Sequence, residues 1–144
     1  MGLFRRRRHV LEHPYFGTMR FTPGGYWEAE LDVPGAHEKV GVTVPADEES
    51  GPSEQQVAFC RALIADPDGL FERCRPVFES VFEEWAGRPL PSDWRRDFSL
   101  VALGLPEAGD EARPWDVGYF VDAANHYFTA YFEGGGPSYV TVDG

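Results

Sequence analysis

The residues best suited to chemistry cluster near the C-terminus: Asp116, Asp122, Asn125 and His126, set among aromatic side chains. Asp122 precedes His126 by four residues. A carboxylate beside an imidazole is a general-base pair, and Trp115 would give it one wall of a small-ligand pocket. The same residues also make a good turn. Asp and Asn side chains bond their own backbone, so Asp122-Ala123-Ala124-Asn125 reads as turn chemistry with His126 flanking it. No nucleophile with a spaced base and no oxyanion loop accompanies them, so no catalytic residue is assigned. An enzyme or small-ligand binder built on Asp122, His126 and Trp115 is the lesser reading. A binding domain is the preferred one.

Other chemistry is excluded by spacing. Of His9, His13, His37 and His126, only His9 and His13 stand four apart, with Glu12 between them. Four neighbouring arginines would repel a cation there, so no metal and no cofactor is expected. Cys60 and Cys74 lack Cys-x-x-Cys spacing and fall on apolar helix faces, where a free thiol acts as a small hydrophobe. Gly134-Gly135-Gly136-Pro137 precedes a strand and carries no Lys or Arg, so it is a hairpin turn and not a phosphate loop.

The aromatic run Tyr119, Phe120, Tyr127, Phe128, Tyr131 and Phe132 resembles a base-stacking platform but lacks interleaved cations. Alternation places Tyr127, Thr129 and Tyr131 on one strand face, and Phe128, Ala130 and Phe132 on the other. Tyrosine is favoured at protein interfaces. The candidate binding set is therefore Trp115, Asp116, Tyr119, Asp122, Asn125, His126, Tyr127 and Tyr131.

Charge narrows the partner. The 144 residues carry a net charge of −11, which becomes −15 without Arg5 to Arg8. Such a surface opposes nucleic acid and anionic lipid. The expected partner is a protein, a cationic one if the acidity steers association. No apolar segment follows the arginines as in a signal peptide, and residue 6 is arginine where a myristoylation motif needs Ser or Thr. No 18-residue apolar run exists. The expectation is a cytoplasmic protein that binds no membrane, with its oligomeric state open.

Those residues need elements to position them. Residues 17–22, 26–33 and 39–44 alternate as strands around Pro-Gly turns. Ser53-Glu54-Gln55-Gln56 forms a capping box for a first helix that stops near Asp66. Leu70, Phe71, Cys74, Val77, Phe78, Val81, Phe82 and Trp85 trace the apolar stripe of a second, which Pro76 should kink or split and Gly87 should end. Strands return at 97–105, 115–121, 125–132 and 138–142. The pattern predicts an α+β fold: a mainly antiparallel sheet of about six to seven strands, ordered strands, helices, strands, with two amphipathic helices on one face. Residues 1–12 read as a flexible basic arm and 13–144 as one domain. The 42% hydrophobic content suits one core of this size.

The layout resembles small bacterial α+β domains of unknown function, including some of the toxin-immunity-protein type. The resemblance rests on Phe16-Gly17, Tyr26-Trp27-Glu28, Ser53 to Gln56, Trp115-Asp116 and Asp122 to His126, across residues 13 to 144. It implies a binding module, pictured as an immunity-like inhibitor, and transfers no catalytic residue.

Overall fold

A computed structural model describes residues 9–144. Its frame is one eight-stranded sheet whose spatial order follows the chain. Strands β1 (Val10–His13), β2 (Gly17–Thr22), β3 (Tyr26–Leu31) and β4 (Val40–Pro45) form an antiparallel meander. Helices α1 (Glu54–Ala65) and α2 (Pro67–Ala86) follow. Strands β5 (Phe98–Gly104), β6 (Trp115–Val121), β7 (His126–Glu133) and β8 (Gly136–Asp143) form a second antiparallel meander. The α+β class and the mostly antiparallel sheet agree with the sequence pattern.

Two points differ. The sheet has eight strands rather than six or seven, and four of them precede the helices. The extra one is β1, so residues 10–12, assigned by sequence to the arm, belong to the sheet. A four-residue strand is too short for alternation to register. It is held by pairing Leu11 with Met19 and His13 with Gly17, and by a turn. There, His13 Nδ1 accepts from the Tyr15 and Phe16 N–H groups at 3.0 and 3.2 Å. The rest of the expected arm, Arg5 to Arg8, lies outside the described residues. The second difference is the seam between the meanders. Because the helices carry the chain back across the sheet, β4 and β5 pair in parallel, Gly41 with Ala102 and Thr43 with Gly104.

Both helices cover the same face. Phe71 and Phe78 of α2 pack on Phe98 and Tyr119, while Phe59 of α1 meets the Trp115 ring at 5.1 Å. Trp27, Ala29, Val40, Val42, Val44, Val117, Phe128, Ala130 and Phe132 are the buried sheet positions beneath them. The capping box forms as expected, and Gln56 does more than cap. It is buried, and its Nε2 donates to the Pro45 and Pro106 carbonyls at 2.7 and 3.1 Å. One side chain thereby ties the end of β4, the start of α1 and the link after β5. Pro76 does not split α2, which runs unbroken to Gly87, whose φ of 74° closes it in the left-handed conformation.

Candidate functional site

With the helices on one face, the opposite face of the sheet carries no helix among the described residues. Strand register fixes what it presents, because side chains alternate while neighbouring strands stay in step. One row crosses from β2 to β8: Arg20, Glu28, Thr43, Gly104, Asp116, Tyr131 and Tyr139. The next row runs from Glu30 through Gly41, Ala102, Gly118 and Thr129 to Thr141. At the seam the second row is reduced to Gly41 and Ala102, and the first to Thr43 and Gly104. The result is a trough of about 350 Å³, with Glu28 and Glu30 on one side and Asp116 on the other.

Asp116 is the most unusual group there. Its carboxylate lies flat on the Gly104 Cα, where an added Cβ would stand 2.5 Å from Oδ2. Only glycine leaves that space. Burial pushes its pKa up to about 6, and desolvation is the sole cause. Among the described residues it has no ion pair and no side-chain hydrogen bond. Beyond it, the Tyr131 and Tyr139 rings stack at 4.6 Å and 8°. At the other end of β7, Tyr127 packs edge-on against Phe120.

The structure divides the candidate binding set. Asp116, Tyr127 and Tyr131 share the open face. Trp115 and Tyr119 point the other way, into the core. Trp115 stacks on Phe132 at 3.9 Å, with the Arg73 guanidinium 5.0 Å from its centroid. Its Nε1 is buried without an acceptor among the described residues. The Tyr119 hydroxyl meets the Cys74 thiol, and burial pushes Cys74 up to about 12. Burial likewise pushes Cys60 up to about 11, so neither thiol is a nucleophile at neutral pH.

The pocket expected from Asp122, His126 and Trp115 is not assembled. Trp115 pairs with Phe132 and His126 with Val121, at opposite ends of β6. That separation is roughly 20 Å at about 3.3 Å per strand residue. His126 turns to the helix side, its ring 4.6 Å from that of Trp85 and its Nδ1 2.9 Å from the Ala124 carbonyl. Asp122 and Asn125 shape the β6–β7 turn, in which the Asn125 N–H donates to the Val121 carbonyl and φ of Asn125 is 54°. The turn reading of these residues matches the geometry.

Sequence reasoning missed the other side of the trough. Glu28 and Glu30 are outward positions of one meander, and Gly104 and Asp116 of another. Only the parallel seam brings them together, and no local pattern reports it. It also missed a pair at the end of the open face, where Ser99 Oγ and His37 Nδ1 lie 3.1 Å apart. His37 is exposed, and among the described residues no partner orients its second nitrogen and no oxyanion donors accompany it, so the pair lacks the parts of a nucleophilic site.

No family model, curated protein or solved structure matches this chain. The site must be read from its own geometry. Among the described residues no group of three His, Cys, Asp or Glu is placed to hold a metal ion, and no helix is long and apolar enough to cross a membrane.

Proposed function

We propose that this chain is a non-enzymatic, cytoplasmic protein-binding domain that meets a cationic protein through the open face of its sheet, in the manner of an immunity-like inhibitor. The observation that carries this reading is Asp116, a largely buried carboxylate without a counter-ion on the one sheet face no helix covers. An uncompensated charge weakens the fold that holds it, and such local departures concentrate at functional sites. The net charge of −11 and the exposed Tyr127 and Tyr139 support the same reading.

Co-expression with the products of neighbouring genes, followed by size-exclusion chromatography, tests it. A stoichiometric complex that weakens as salt rises is expected. Recovery of no complex at low salt would overturn the reading. One observation favours a second reading, self-association: β8 is an edge strand with no strand partner on its outer side among the described residues. Sedimentation over a range of concentrations decides it, and a constant monomer mass rules it out.

A further inference from the structure

The trough on the open face has a shape and a charge that select its occupant. Its floor at Gly41 and Ala102 carries nothing larger than a methyl group, its two sides carry Asp116 and Glu30, and none of the trough carboxylates is ion-paired among the described residues. The nearest cation in the row, Arg20, stands beyond Glu28 and forms no ion pair with it. Charge complementarity therefore calls for a cation from outside. The carboxylates are not grouped closely enough for a metal ion.

The geometry points to a receptor for an arginine side chain, presented by an extended basic segment of the partner protein and seated over Gly41 and Ala102 against Asp116. This inference rests on the protein-binding reading above and names the chemistry of that same surface. Two features favour arginine over lysine. A guanidinium presents a planar fork that fits a carboxylate with two parallel hydrogen bonds. Next along the row, the stacked Tyr131 and Tyr139 rings offer it a flat aromatic surface. The trough also opens toward a wider depression of about 650 Å³ bordered by Glu28, Glu30, Arg20 and Lys39, the last paired with Asp32, so a chain of mixed charge can continue across the sheet beyond the arginine.

The test uses the full chain, labelled with ¹⁵N, and three acetylated and amidated Gly-Arg-Gly-type peptides. They carry arginine, lysine or uncharged citrulline at the centre. The arginine peptide should shift the amides of Gly104, Gly118 and Tyr131 at pH 7.5, with citrulline binding about tenfold more weakly or less and lysine in between. Asp116→Asn should lower arginine-peptide affinity by about tenfold, while Asp122→Asn, in the β6–β7 turn, should leave it unchanged. Gly104→Ala, which displaces the same carboxylate, should reproduce the Asp116→Asn loss. Equal binding of citrulline, shifts confined to the acidic loops at 47–49 and 107–111, or full affinity in both variants would each overturn the inference. If a co-expressed complex survives Asp116→Asn unchanged while the peptide shifts miss the trough, this inference fails and the protein-binding reading stands. If no complex forms at all, it is that reading that fails.

Discussion

Asp116 sets the pH behaviour of the fold at the level of a single side chain. Its pKa rises from an ordinary 3.8 to about 6 on folding. A group raised in this way favours the folded state below about pH 4, and that contribution is lost as pH rises through 6. Asp116→Asn abolishes the titration. The variant should be more stable than the parent by about 2 kcal/mol at pH 7.5, allowing for solvent that still reaches the trough, and nearly equal to it at pH 4. Urea unfolding at the two pH values measures both differences. His13 acts in the opposite direction. Desolvation lowers its pKa, and its Nδ1 is occupied by the two turn N–H groups. Its contribution is present above pH 6.5 and declines as pH falls. His13→Ala should cost about 1 to 2 kcal/mol at pH 7.5, less at pH 5, with the loss centred on the β1–β2 turn. Neither behaviour is legible in the sequence. An aspartate after a tryptophan and a histidine before a proline acquire these properties only from what folds over them.

At the scale of elements, capping and periodicity carried the reading far. The Ser53–Gln56 box, the α2 stripe and the opposite faces of β7 all follow from spacing. What spacing misses is the second use of a residue. Gln56 reads as a cap, yet it also satisfies the carbonyls of Pro45 and Pro106 across 11 and 50 residues of chain. Gln56→Leu should cost about 2 to 4 kcal/mol in chemical denaturation, because two acceptors lose their donor where water is scarce. Losing an exposed cap alone costs about 1 kcal/mol, so the magnitude separates the two roles. Pro76 poses the reverse case. It is exposed within a continuous α2 and leaves the Glu72 carbonyl without its helical donor. Pro76→Ala should therefore raise stability by about 1 to 3 kcal/mol, read as a higher melting temperature with an unchanged circular dichroism spectrum.

Across the whole molecule, two locally built meanders meet at one parallel joint. Each meander consists of strands that are neighbours in sequence, and its hairpins are visible as alternation and turns. The joint is long-range: β4 and β5 are brought together by a crossover containing both helices. Sequence reasoning found the elements on either side of it but not the pairing, which is why the tyrosine side of the open face was legible and the Glu28–Glu30 side was not. The trough lies on this joint. A ligand seated there touches both halves at once and stabilises their union by mass action. In hydrogen exchange, arginine peptide should slow the amides of Thr43 and Gly104 more than those of the outer hairpins, and equal slowing throughout would count against it.

The placement of Gly104 has a consequence for how the protein matures. Contacts close in sequence form before distant ones, since a long loop must be closed before its contacts can repay the lost chain entropy. The two meanders are local and the seam is not. The carboxylate trough therefore requires the long-range joint, and a chain that has formed only its two meanders lacks it. On the proposed function, recognition through the trough would therefore report a completed fold.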